Sequence, residues 1–255
     1  NQSDPVFAGA GKNDDVTNGN GRALISWYNI DPRFWGVGGN APNGINADAV
    51  SNHTSRRVEV QELYNSRDLV AGEQIFTSTF DIAYFPQERG PYNVNPNPET
   101  TQQRWGGLMR PINISNFVNS NIEYVEFWMM DPYADVNTLG ANPRMLLQLG
   151  NVSEDVLKDG LMQYENGLPT PKIPAQTDNS IWGTVPVNPI QVTQAFSNEP
   201  DDRPYQDVGF DGNRDEDEQI LHQQYLQILE STLGSGSAAY QQALSDPSSD
   251  NFRYY

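Results

Sequence analysis

Turn-forming residues interrupt this chain so often that few segments run long enough to make a helix of ordinary length. Its 255 residues include 21 glycines and 18 prolines, with asparagine abundant among them. Such punctuation favours short strands joined by turns over a helix bundle. A hydrophobic fraction of 36% and a mean hydropathy of −0.65 are low for a compact domain. An aromatic content of 11% is nonetheless too high for a disordered chain of this charge. A folded protein with long, hydrated loops is therefore expected, long enough to bury one large core or two small ones.

The segments between turns carry strand patterns. ALISWYNI (23–30) is the first, stopped by Asp31-Pro32. RRVEVQEL (56–63) alternates, with Val58 and Val60 on one side and Arg57, Glu59 and Gln61 on the other. IFTSTFDIAYF (75–85) alternates more clearly and is ended by Pro86, Gly90 and Pro91. NIEYVEFWMM (121–130) is apolar at both parities apart from its glutamates, as a central strand covered on both faces would be. RMLLQLG (144–150) is its expected antiparallel neighbour. SIWGTVPV and PIQVTQAF each carry a proline suited to an edge strand. Ser153 caps a short helical pattern, SEDVLKDGL. No internal repeat of fixed period is visible. The reading is mainly β: a jelly-roll-like β-sandwich with long loops and a C-terminal helix. Its parts are a lead-in loop (1–22), the sandwich (23–205), an acidic loop with an amphipathic helix (206–233), and a flexible GSGS break with a tail (234–255).

Charge excludes several function classes. The net charge is −18, and only Lys12, Lys158 and Lys172 among fifteen basic residues are lysines. Phosphate recognition needs clustered cations, so neither nucleic acid nor anionic lipid is an expected partner. Without cysteine there are no disulfides, zinc-thiolate sites or cysteine nucleophiles. No run approaches the roughly 18 apolar residues of a membrane helix. The chain opens on Asn1 without a signal peptide, which reads as a mature form or an excised fragment.

The most informative stretch is QDVGFDGNRDEDEQ, 206–219. Counted as an EF-hand loop from Asp207, it places Asp211 at position 5 and Gly212 at the position-6 turn. Asp215 falls at position 9 and Glu218 at position 12. Short carboxylates at alternate positions point inward, the glycine permits the bend, and the glutamate closes the shell from the next helix. Asn213, at position 7, would offer its backbone carbonyl. Position 3 is the departure, because Gly209 has no side-chain ligand. The alternative is a solvated acidic loop in which Asp215 or a neighbour caps the helix; residues 199–218 hold nine acids and two arginines. A bound ion would be calcium in a structural role, since oxygen ligands without histidine suit a hard cation and not a zinc-type Lewis acid. The helix after the loop shows one apolar face, Leu221, Tyr225, Ile228 and Leu229.

Other chemistry is thin. The histidines are His53, in an Asn/Ser loop, and His222, on the presumed helix; both read as surface residues. Glu88, Glu126 and Glu165 lie near aromatic segments and leave a glycoside-hydrolase carboxylate pair open, although strand-face charges account for them equally well. Of the five tryptophans, Trp35 in DPRFWGVGGN is the best candidate for an exposed sugar-stacking ring; the others suit a core. Sequons fall at Asn52, Asn113 and Asn151.

Several strings, taken in order, resemble one family: ALISWYNIDPRFW, FDIAYFPQERGPYN, RWGGLMRPI, NIEYVEFWMMDPY, LLQLGNVSEDVLKDG, ENGLP, WGTVP, QDVGFDGNRDEDE and DPSSDNFRY. They are similar to a stretch of the SprA/Sov family, the outer-membrane translocon of the Bacteroidetes type IX secretion system, from about Ala23 to Tyr255. The resemblance implies a soluble region of a giant β-barrel machine that exports folded proteins and serves gliding motility. It implies contacts with cargo and with accessory proteins, including a PorV-like shuttle and a plug, and a place at the outer membrane or cell surface, on either its periplasmic or its extracellular side. It implies no catalytic residues. The family also reads DxGxDG in the acidic loop, sharing the position-3 glycine. A glycan-binding jelly-roll module and a glycoside hydrolase of the same architecture are the alternatives from other classes.

Overall fold

A computed structural model describes residues 19–51, 56–97, 104–110, 112, 114, 116–130, 144–150, 156–157, 176–179, 183–188 and 199–252. The chain divides into two compact units, one of residues 1–25, 84–109 and 150–255, the other of residues 26–83 and 110–149. Its strands are β1 (Ala23–Tyr28), β2 (Asp81–Arg89), β3 (Thr177–Asn179) and β4 (Thr184–Pro186). Its helices are α1 (Ala47–Ser51), α2 (Val60–Leu63), α3 (Asp215–Leu221), α4 (Gln223–Leu233) and α5 (Ala238–Ser245), with 3-10 turns at Pro32–Trp35 and Pro200–Tyr205.

The expected jelly-roll-like sandwich does not form among the described residues. They hold two sheets of two strands each, β1 with β2 and the antiparallel hairpin of β3 with β4. The central strand expected at 121–130 joins no ladder, and neither does its expected neighbour at 144–150. Tyr124, Phe127, Trp128 and Met129 are instead exposed, as are Leu146 and Leu147. An apolar pattern at both parities says that a segment needs cover on two faces, but not that this chain supplies the cover. At 56–63 the alternation extends to a single bridge, Glu59 with Phe76, after which the chain turns into α2. β1 occurs where its pattern places it. β2 runs through Pro86, which a two-stranded sheet tolerates because each strand has an edge free of ladder bonds. The 189–196 strand and most of the 153–161 helix lie outside the described residues, as do the sequons.

In the first unit, the start of β1 is held from two sides. The Ala23 amide donates to the Trp105 carbonyl at 2.8 Å and the Gly90 amide to the Arg22 carbonyl at 3.1 Å. The main apolar core is helical: Tyr225, Leu226 and Leu229 of α4 pack with Tyr240 and Ala243 of α5, flanked by Val94 and Leu244. Ser237 starts α5 by accepting the Tyr240 amide, directly after the GSGS stretch, which is a tight turn. The single helix expected after the acidic loop is two, α3 and α4, broken at His222. The break rotates the apolar face, so Leu226 is buried while Leu221 stands 47% exposed.

In the second unit no described residue is fully buried. Its local order comes from cation–ring and ring–ring contacts: the Arg57 guanidinium lies 4.4 Å from the Trp35 ring centre and also covers Phe76, and Trp27 meets Phe80 at 5.9 Å. No helix among the described residues is long and apolar enough to cross a membrane.

Candidate metal centre

The acidic loop begins where the 3-10 turn ends, the Asp207 amide donating to the Arg203 carbonyl at 2.9 Å. Gly209 and Gly212 take φ of +52° and +65°, the left-handed region that L residues avoid, so the chain reverses tightly between them. Asp211 accepts the Asn213 amide on Oδ1 at 2.9 Å, an Asx turn that aims the carboxylate inward. The Asp211 carbonyl accepts the Thr184 amide at 2.9 Å, tying the loop to the β3–β4 hairpin. α3 then starts with Asp215, Glu216, Asp217 and Glu218 in its first turn, where the helix dipole favours anions. Arg214 precedes it without a side-chain cap, so Asp215 is not spent on capping.

The loop meets a segment that its spacing does not announce. After α5 the chain reads Asp246-Pro-Ser-Ser-Asp-Asn-Phe252 and runs along the loop. The Phe252 amide donates to Asp207 Oδ1 at 2.8 Å, and the Ser248 amide to Glu218 Oε2 at 3.0 Å. Ser248 Oγ donates to Asp211 Oδ2 at 3.4 Å, and Asn251 Nδ2 to Asp215 Oδ1 at 3.0 Å. Arg89 fixes the segment from the other side through the carbonyls of Asp246 and Pro247, and the Tyr92 amide donates to the Ser248 carbonyl at 2.6 Å.

Two carboxylate triads result. Oxygens of Asp211, Glu218 and Asp250 lie within 4.8 Å of one another, and so do those of Asp215, Glu218 and Asp246. Ligands about 2.4 Å from a shared calcium ion are separated by no more than about 4.8 Å, so these spans fit that cation. Asp211 and Glu218 are 2% and 1% exposed. No arginine or lysine pairs with Asp211, Glu218 or Asp250 among the described residues. Arg214 pairs with the exposed Asp217 instead. The Asp250 Oδ2 atom is buried and makes no hydrogen bond of ordinary geometry among the described residues.

The electrostatics express this crowding. Burial, and next the Asp250 charge, pushes Asp211 up to about 8. Burial and the Asp211 charge push Glu218 up to about 8. Burial and then Glu218 raise Asp250 well above the carboxylate range. Burial also raises Asp207 and Asp215, the latter held back by its Asn251 hydrogen bond. Carboxylates that oppose one another's ionisation without a counter-charge are suited to receive a cation that ionises them together.

Of the five residues picked from the loop spacing, Asp211, Asp215 and Glu218 enter the two triads. Asp207 and Asn213 enter neither: Asp207 accepts the Phe252 amide, and Asn213 is buried with its side chain against Gly183. Sequence reasoning missed Asp246 and Asp250. Their signal was available in DPSSDN, two acids among turn formers directly after a helix, but nothing local ties that string to a loop that ends 28 residues upstream.

His222 is not the surface histidine its helical position suggests. It sits in the α3–α4 break with Nε2 3.2 Å from Ser248 Oγ, and burial, followed by the Arg89 charge, lowers it to about 4. Aspartate, serine and histidine thus meet, but the serine lies between the other two and is 0% exposed. A catalytic triad needs the histidine in the middle and the serine open to substrate. His53 and Glu165 lie outside the described residues. Glu88 and Glu126 are exposed, and Trp35 is 37% exposed with Arg57 over its ring.

No protein-family model matches the chain, and no curated protein is similar to it.

Proposed function

We propose that this chain is a non-enzymatic region of a type IX secretion outer-membrane translocon, stabilised by a structural calcium ion in the 207–218 loop. It supports export of folded proteins and gliding motility through contacts or gating with cargo and accessory proteins. The nine strings running from Ala23 to Tyr255 support the family reading. The exposed rings and aliphatics of the second unit, among them Trp27, Phe80 and Trp128, suit a protein that works through contact with other proteins. The observation that carries the cation is the set of mutually facing carboxylates, Asp211 and Glu218 fully buried among them, with no basic partner among the described residues. An all-oxygen donor set selects a hard cation, and the number of carboxylates selects calcium over the smaller, water-retaining magnesium. A bound ion would fasten the loop to α3 and supply stability, not turnover.

The glycan-binding and glycoside-hydrolase alternatives both rested on a jelly-roll sandwich, which the described residues do not form.

The test joins the two halves of the proposal. In the isolated chain, saturating calcium should raise Tm over that in EDTA, a gain of about 2.7 kcal/mol at a hundredfold excess over Kd, and Asp211→Ala should remove the gain. Asp211→Ala in a full-length translocon should then reduce export of a folded cargo reporter. A calcium-independent Tm rejects the cation; normal export by a variant that has lost its calcium response rejects the link to secretion.

A further inference from the structure

The loop lacks a ligand at its third position, and the structure shows what stands in that place. A Cβ built on Gly209 would fall on the Asp250 carboxylate, within 2.6 Å of its Cγ and within 2.6 Å of the Tyr92 hydroxyl oxygen. The space that a position-3 side chain would occupy is therefore filled by a carboxylate from 41 residues further along the chain. That carboxylate faces Asp211 and Glu218 within 4.8 Å. The Asp250 Oδ2 atom is buried, with the Tyr92 hydroxyl beside it and no hydrogen bond of ordinary geometry among the described residues. A buried carboxylate oxygen left without a donor costs free energy unless something outside the chain satisfies it.

We propose that Asp250 is the loop's missing third-position ligand, so that one calcium ion is held jointly by the 207–218 loop and the 246–252 segment. This rests on the calcium reading above and deepens it. The ion then closes a clasp between two parts of the chain that sequence keeps apart, instead of ordering one loop. Asp250 is held ready for the role. Its amide donates to Asp246 Oδ1 at 3.1 Å, and the Asp246 and Pro247 carbonyls are gripped by Arg89. Gly209 follows from the same arrangement: any side chain there would displace the carboxylate that replaces it.

The proposal is tested by calcium titration calorimetry on the intact chain, stripped with EDTA and desalted. Asp250→Asn, which keeps the shape and removes the charge, should weaken calcium binding at least tenfold. Glu216→Gln, an equal charge change on an exposed residue of α3, should leave it within about twofold, as a surface charge does. Melting in EDTA supplies the folding control. Because Asp250→Asn keeps the shape and removes a carboxyl group that burial and Glu218 already keep from ionising, its Tm without calcium should equal or exceed that of the unaltered chain, while the gain from calcium shrinks. Unchanged affinity in Asp250→Asn overturns the inference and leaves the calcium reading standing. So does a loss of Tm that is equal with and without calcium, or a Glu216→Gln effect as large as that of Asp250→Asn. If the unaltered chain binds no calcium, the underlying reading fails first.

Discussion

The two units use their apolar residues in opposite ways. In the first, Tyr225, Leu226, Leu229, Tyr240 and Ala243 close a small helical core, and the carboxylates are buried beside it. In the second, the longest apolar stretch of the chain, 121–130, is almost wholly exposed, and no described residue reaches full burial. The unit richer in charge has the better core, and the unit richer in apolar strand pattern has none among its described residues. Hydrophobicity alone therefore does not fix where a core forms; a segment also needs a surface to pack against. In the first unit two helices in tandem meet across a short turn and supply each other's cover. In the second, β-type segments need ladder partners that the described residues do not provide.

The sharpest way to break this comparison is to remove one side chain from the first core. Leu229→Ala should destabilise the chain by about 2–5 kcal/mol, because the cavity lies between α4 and α5 with little room to collapse. Urea denaturation should show the midpoint falling with the slope unchanged. A cost below 1 kcal/mol would mean that the helical pair is as open as the second unit.

What sequence could reveal divides along the same line. The turn and inward-facing carboxylates of the 207–218 loop are legible because Asp211, Gly212, Asp215 and Glu218 lie within twelve residues, where spacing nearly determines geometry. β1 is legible for the same local reason. Asp246 and Asp250 are not, because their partners lie 28 to 39 residues away and depend on how α4 and α5 fold back. The sandwich failed on Val58, Val60 and the 121–130 stretch. Period two identifies which faces are apolar, but pairing is a non-local choice that no alternation encodes. His222 misled for a smaller reason: the helix breaks at that residue and turns its ring toward Ser248.

The next effect is a pH dependence confined to the first unit. Asp211 and Glu218 ordinarily titrate near 3.8 and 4.5 and are raised to about 8, first by burial and next by a neighbouring carboxylate, Asp250 for Asp211 and Asp211 for Glu218. Groups raised in the folded state contribute stability that is complete below their unfolded values and is lost as pH rises through their folded ones. His222 acts oppositely: lowered from 6.5 to about 4, it contributes stability that is lost as pH falls through that range. Between pH 6.5 and 8 only the carboxylates change, so the EDTA-treated chain should lose stability steadily across that window. Saturating calcium should abolish or reverse the slope, since the ion requires the ionised form. Urea midpoints at half-unit pH intervals, with and without calcium, measure this. A flat profile in EDTA would mean that the acids are more hydrated than their burial implies.

The smallest effect tests the other half of the comparison. Trp128 is among the largest side chains in the molecule, and in a central strand its loss would cost as much as that of Leu229 or more. It is 68% exposed here, so Trp128→Ser should change folding free energy by no more than about 0.5 kcal/mol. A near-zero value beside a large one for Leu229→Ala places the chain's stability in the helical unit. It leaves the aromatic stretch free to serve a surface that meets another protein. A cost comparable to that of Leu229→Ala would show that Trp128 is covered within this chain in solution, and the contrast between the units would not hold.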